Sequence, residues 1–233
     1  MKKTSVVLLP GLLCNAGLFI NQINAFKERA DFFVPDLGID ADIGSAARRI
    51  LSQAPERFVL GGLSMGGYVA LEIMRQAPER VSKLILMDTS AAPDAPQKRE
   101  SRLKGIEFAR QNGLEPLIKS ALLDIVAPKN RSNEMLKAVL THMALSTGVE
   151  GYANEQNVIM SRPDSRPDLP KISCPTLVFG GTEDALTPPE SMKEIADAIP
   201  NALHAAVAGA GHLSPLEAPS AVNALFKAFL FQP

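Results

Sequence analysis

Several things are scarce in this chain, and each scarcity closes off a class of function. Cys14 and Cys174 are its only cysteines, too few for a disulfide framework, so both are expected to be reduced thiols in a cytoplasmic protein. Neither sign of charge is in excess: 24 Lys and Arg stand against 25 Asp and Glu, a net charge of −1. That balance supplies no basic face for nucleic acid or an anionic membrane. Nowhere does an apolar run approach the roughly 20 residues of a membrane span. Lys2-Lys3 ahead of Val6-Val7-Leu8-Leu9 imitates an export signal, and Cys14 imitates a lipoprotein cysteine. Pro10-Gly11 ends the run after four strongly apolar residues, however, and Leu13 stands where a lipoprotein site needs a small residue, so the segment reads as a strand. No His, Asp, Glu and Cys group has metal-ligand spacing, and no G-x-G-x-x-G follows a strand. Neither a metal nor any other cofactor is expected.

What remains is an ordinary globular composition of 233 residues, 46% apolar, enough to bury a sizeable core. Short apolar runs at 4–9, 32–34, 58–60, 84–87, 176–179 and 205–208 each stop at glycine, proline or aspartate. Continuous apolar runs suit strands covered on both faces, as in a parallel sheet. Helical patterns at 41–53, 68–76, 190–198 and 220–230 lie between or after them, the first three ending just before a proline. The alternation predicts an α/β architecture, a mostly parallel sheet flanked by helices. It is interrupted from about 91 to 170, where Lys, Arg, Glu, Ala and Leu dominate and helix-like stretches fall near 97–111, 114–125, 134–145 and 151–159. That interval reads as a helical cap inserted into a core made of 1–90 and 171–233. The proline-rich segments 91–96 and 162–170 are its two expected hinges.

The decisive motif is Gly62-Leu63-Ser64-Met65-Gly66, a G-x-S-x-G directly after a strand and before a helix. A sharp turn there projects the serine hydroxyl from the sheet edge, and side chains two before and two after would strike the neighbouring strand and helix. Ser64 is therefore the candidate nucleophile. Its base is expected to be His212, in a loop past the last strand. His204 precedes that strand, and His142 falls in the cap. Asp184, in the loop past the preceding strand, is the candidate acid that fixes the imidazole, with Asp88 as the competitor. The order Ser64, Asp184, His212 favours Asp184. The oxyanion hole is assigned to the N–H groups of Met65 and Leu12, with Leu13 as second choice for the latter. Leu13 and Phe19 are candidate substrate contacts. Leu18, Met135, Met143 and Phe108 are further apolar groups that either face the pocket or simply pack. Cys14 reads as a structural thiol. Lys98, Arg99, Arg102 and Lys104 form a basic run whose first reading is a solvated helix face, the alternatives being a contact for an acidic carrier protein or for an anionic substrate.

The segments LPGL, GLSMGGYVA, GGTEDALTPPE and GAGHLSPLEAP together resemble a small α/β-hydrolase with a helical cap. Proline stands at position 10 where relatives often carry histidine. The resemblance covers the chain from Val6 to Pro219 except the cap. It implies cleavage of a small-molecule carboxylic ester or thioester through acylation of Ser64 and hydrolysis by water activated by His212. The same three residues would serve carbon–carbon bond hydrolysis, acyl transfer or perhydrolysis. A ligand receptor with slow or absent turnover is the alternative outside enzymes.

Overall fold

The computed structural model describes residues 3–118 and 125–231. The apolar runs become β1 (Thr4–Leu9), β2 (Ala30–Phe33), β3 (Phe58–Leu63), β4 (Val81–Met87), β5 (Thr176–Gly181) and β6 (Leu203–Val207). They form one sheet in the order β2-β1-β3-β4-β5-β6, with every neighbouring pair parallel. The helices are α1 (Ile20–Phe26), α2 (Ile43–Gln53), α3 (Met65–Gln76), α4 (Pro96–Asn112), α5 (Glu115–Leu117), α6 (Glu134–Met160), α7 (Pro189–Ala198), α8 (Ser214–Glu217) and α9 (Pro219–Phe231).

The period of two along each strand divides the core. Val6 and Leu8 of β1, Ile85 and Met87 of β4, and Leu177 and Phe179 of β5 pack with Phe26 of α1 and Phe226 of α9. Their neighbours Val7, Leu9, Leu84, Leu86 and Val178 face the opposite way, toward Ile50 of α2, Val69 of α3 and Ile195 of α7. Both faces of the sheet are thus dry, which is why β3 and β5 are buried at every position. The edge strands depart from the pattern in the sequence. β2 starts two residues before the apolar run at 32–34, and β6 begins at Leu203, taking in His204. Leu203 and His204 are both exposed, so backbone pairing extends into residues that burial does not select.

Two elements between β1 and β2, a 3-10 turn at Ala16–Phe19 and α1, have no counterpart in the sequence reading. Between β4 and β5 the described residues contain helices and no strand. The stretches 134–145 and 151–159 are joined in α6, broken at Gly148, whose φ of 72° is open to glycine at little cost. Of the expected helix at 114–125, Glu115–Leu117 is helical, Ile125 is not, and 119–124 lie outside the described residues. Ile106 and Ala109 of α4 and Leu140 and Met143 of α6 join the same apolar cluster as α1 and α9. No described helix is long and apolar enough to cross a membrane.

Phe179, fully buried on β5, meets Phe226 edge-on with ring centroids 6.5 Å apart. Phe179→Ala should cost about 3–5 kcal/mol. At about 2–4 °C per kcal/mol for a chain of this size, the melting temperature should fall by roughly 6–20 °C, measurable by calorimetry. A fall of only a degree or two would mean that the sheet does not rest on this pair.

Candidate active site

With all strands parallel, the loops after β1, β3, β4, β5 and β6 leave the sheet at one edge. Non-glycine residues with positive φ concentrate there. Leu13 (58°), Ser64 (53°) and Asp88 (43°) follow β1, β3 and β4, and only Asn201 (59°) lies elsewhere among the described residues. Each such backbone costs on the order of 1–3 kcal/mol, and strain of this kind gathers at functional sites.

The strain at Ser64 comes from close packing. A Cβ on Gly66 would lie 2.0 Å from the Leu9 carbonyl oxygen, and one on Gly62 would lie 2.3 Å from the Gly66 carbonyl oxygen. Both obstacles are backbone and cannot swing aside. The turn is held by the Ser64 N–H, which donates to the Met87 carbonyl at 3.0 Å, and by the Thr89 hydroxyl, which donates to the Ser64 carbonyl at 2.8 Å.

Asp184 and His212 meet in the next two loops. His212 Nδ1 lies 2.8 Å from Asp184 Oδ2. The same oxygen accepts the Thr187 hydroxyl at 2.6 Å, while Oδ1 accepts the Leu186 and Thr187 N–H groups at 2.8 and 3.0 Å. Burial alone would raise the Asp184 pKa. The His212 hydrogen bond and charge and the Thr187 donors outweigh it and hold the carboxyl below its ordinary value. An ionised carboxylate only accepts, so Nδ1 carries the proton and Nε2 is left with its lone pair when the ring is neutral. The Thr187 oxygen, 3.1 Å from Nδ1, is a second acceptor for that proton.

Asp88 is engaged elsewhere. Its Oδ1 accepts the Gly181 N–H at 2.8 Å and its Oδ2 the Ser214 hydroxyl at 2.5 Å, bracing β5 and the segment after His212. Complete burial pushes its pKa up to about 7, against the pull of His212, Ser214 and Gly181.

Two further acids shape the site and carried no signal in the sequence. Glu217, five residues past His212, accepts the N–H groups of Gly211 and Leu213, both at 3.1 Å, through Oε1. Its Oε2 accepts from Ala127 N–H at 2.7 Å and Asn130 Nδ2 at 2.8 Å. The His212 N–H itself donates to the Ile125 carbonyl at 2.8 Å. The imidazole loop is therefore hung between α8 and the segment at 125–130. Glu155 of α6 is 1% exposed, and its Oε2 accepts the Leu13 N–H at 2.8 Å. That bond occupies Leu13, while the Cys14 N–H goes to the Gly11 carbonyl at 3.1 Å. The N–H groups of Leu12 and Met65 have no acceptor among the described residues.

Ser64 and His212 line one cavity of about 490 Å³, together with Leu12, Leu13 and Leu213 and with Tyr152, Gln156 and Ile159 of α6. Not every candidate contact reaches it. Phe19 is fully buried in the core beneath α1 and α9, because the 3-10 turn directs it inward. Leu18 and Met143 are core residues too, while Met135 and Phe108 are exposed away from the cavity wall. His142 and His204 are exposed. Cys14 touches the cavity, but burial and then the nearby Glu155 drive its thiol pKa upward, so it stays protonated. Lys98 and Arg102 line the cavity, one turn apart on α4; Arg102 is partly buried and paired, which corrects the reading of a solvated face for that residue, while Lys98 stays exposed.

Glu217→Ala leaves several buried N–H groups without an acceptor and should cost at least about 2 kcal/mol, a melting-temperature loss of roughly 4–8 °C. Glu217→Gln keeps an acceptor and should lose less; equal losses would show that the loop does not hang on this group. Glu155 gives a pH signature. Burial, opposed by the Leu13 N–H and assisted by Asp36, pushes its pKa up to about 8 from an ordinary 4.5. The folded chain then holds a proton that the unfolded chain releases, so stability falls as pH rises from about 4.5 to about 8. Glu155→Gln cannot ionise, and its melting temperature relative to the parent should improve steadily from pH 5 to about 8.5. A pH-independent difference would mean that Glu155 is ionised in the folded chain.

A family model described as alpha/beta hydrolase fold matches residues 45–219, more than half of the chain. A thermophilic esterase from Thermogutta terrifontis, solved with malate bound, superposes with a TM-score of 0.91 at 32% identity, covering 98% of this chain and 90% of that one. The pimeloyl-[acyl-carrier protein] methyl ester esterase of Pectobacterium atrosepticum is 28% identical over 97% of this chain and 94% of its own length. The 3-oxoadipate enol-lactonase 2 of Acinetobacter baylyi is 30% identical over 70% of this chain and 59% of its own. On the sheet topology, the family match and these relatives together, the chain belongs to the alpha/beta hydrolase fold family.

Proposed function

We propose that this hydrolase cleaves a carboxylic ester or thioester through an acyl-enzyme on Ser64, with His212 as general base and Asp184 as its orienting acid. The observation that carries the reading is the His212 Nδ1–Asp184 Oδ2 bond of 2.8 Å beside the cavity that Ser64 also lines. With Nδ1–H committed to Asp184, Nε2 is the ring atom left to take the Ser64 proton. The Ser64 oxygen then attacks the substrate carbonyl carbon, and the oxyanion accepts the N–H groups of Leu12 and Met65. Protonated His212 returns the proton to the leaving alcohol or thiol. Water, activated by the same imidazole, hydrolyses the acyl-enzyme and frees Ser64. Segment 91–170 acts as the cap, closing the cavity with Tyr152, Gln156 and Ile159. Relatives named for a methyl ester and for an enol-lactone both cleave an acyl–oxygen bond, the chemistry proposed here. No structural feature favours carbon–carbon bond hydrolysis, acyl transfer or perhydrolysis over it.

A fluorophosphonate probe should label Ser64 alone, located by peptide mass spectrometry, and Ser64→Ala should abolish the labelling. The same variant should lower kcat on 4-nitrophenyl butyrate by about a millionfold if the three residues act as a unit. Folded parent protein that resists the probe would favour a receptor of this fold, and an active Ser64→Ala would overturn the nucleophile.

A further inference from the structure

We propose that Lys98, Arg102 and Arg162 form an anion subsite, and that the preferred substrate is an ester carrying a free carboxylate a few bonds from the scissile carbonyl, such as a hemiester of a short dicarboxylic acid. The inference rests on Ser64 being the nucleophile, because that fixes where the scissile carbonyl sits.

These three cations line the same cavity as Ser64, and no Asp or Glu among the described residues does. One carboxylate lies behind them. Asp94, in the first hinge segment, accepts both Nε and Nη2 of Arg102, at 2.7 and 3.1 Å, and lies 3.2 Å from Arg162 Nη1. Burial would raise the Asp94 pKa, but the paired guanidinium of Arg102, Arg162 and Lys98 hold it below the ordinary value, so it is ionised. Three positive charges against one negative leave about two uncompensated at the wall. A cavity lined by one sign concentrates ligands of the other.

The donors are not all used. Arg162 gives Nε to the Ala92 carbonyl at 3.0 Å and Nη1 to the Ile159 carbonyl at 3.3 Å, while Nη2 has no acceptor among the described residues. Arg102 gives Nη1 to Gln156 Oε1 at 2.9 Å and retains a second hydrogen on each Nη. Lys98 makes no direct ion pair among the described residues and is exposed at the cavity lining. Asp94 itself demonstrates that the paired guanidinium groups suit a carboxylate, whose two oxygens match the planar fork. The subsite is also close to the proposed chemistry. The Arg162 guanidinium lies over the Tyr68 ring, 4.1 Å from its centroid; Tyr68 lies one turn past Ser64 on α3, donates its N–H to the Ser64 carbonyl at 3.2 Å and lines the same cavity. The cation and the nucleophile thus border the same tyrosine, which suits a short acyl chain between them. Hydrolysis would break the acyl–oxygen bond of the hemiester and add water across it, releasing a dicarboxylate, an alcohol and a proton.

The test compares monomethyl glutarate with methyl hexanoate, a neutral ester of similar length, in the full-length protein. The parent should prefer the anionic ester by about tenfold to a hundredfold in kcat/KM, the range expected of hydrogen bonds to a charged group. The preference should shrink as salt is raised. Lys98→Ala and Arg102→Gln, each read as its own anionic-to-neutral ratio, should bring that ratio toward one. A parent ratio at or below one, or a ratio unmoved in both variants, would overturn the subsite. If neither ester is turned over, the serine-hydrolase reading fails by itself, and calorimetric titration with glutarate decides the subsite independently. Saturable binding weakened in both variants supports it, and no binding rejects it. Inorganic phosphate competing more strongly than glutarate would overturn the assignment to a carboxylate.

Discussion

The tightest constraint in this molecule is the passage of α3 across the end of β1. Gly66 lies so close to the Leu9 carbonyl that even a methyl group would overlap it, and Gly62 is similarly confined by Gly66. This close approach forces the turn between β3 and α3, which holds Ser64 at a φ of 53°. The cost, on the order of 1–3 kcal/mol, is sustained because Met87 and Thr89 of the neighbouring strand and loop bind the serine backbone from both sides. Without the two glycines the helix would ride higher over the sheet, and the hydroxyl proposed as nucleophile would leave the cavity.

Four acidic side chains organise the edge of the sheet, and environment separates them. Asp184, supplied with donors from Thr187 and His212, stays ionised and orients the imidazole. Asp88 is completely buried and ties β4 to β5 and to the start of α8. Glu217 suspends the histidine loop by its own flanking N–H groups. Glu155 reaches from the segment proposed as a cap to the loop after β1 and fixes Leu13, while the neighbouring N–H of Leu12 has no acceptor among the described residues. In this way an element of the cap has a direct hold on the proposed oxyanion loop, so the two are coupled through a hydrogen bond as well as through the cavity they share.

Charge on α4 illustrates how a fold gathers charge that composition leaves balanced. The chain is nearly neutral overall, yet its cavity wall carries cations and no described carboxylate. Their one counterion among the described residues, Asp94, joins the residues before α4 to Arg162 after α6. The pairs tie together the two ends of the segment proposed as a cap, and the cations they involve also line the cavity.

The parallel sheet was legible in the sequence, because strands buried on both faces must be apolar throughout and each run ended at a turn residue. The elbow around Ser64 was legible for a related reason: only glycine tolerates backbone contact, so the requirement is written as residue identity. His212 and Asp184 could be chosen by their places after successive strands. The boundaries of β2 and β6 were not legible: β6 begins at exposed Leu203 and His204, and β2 takes in exposed Asp31, which backbone pairing selects and hydropathy does not. Nor were the roles of Glu155, Glu217 and Thr187, whose partners come from side-chain directions that no periodicity encodes. The same limit separates Lys98 and Arg102 from Arg99 and Lys104. All four look alike as a basic run, and only the seating of α4 against α6 turns two of them toward the cavity. Local chemistry is determined where one residue type alone fits, whereas pairings between distant side chains are decided by packing, which sums over the whole chain.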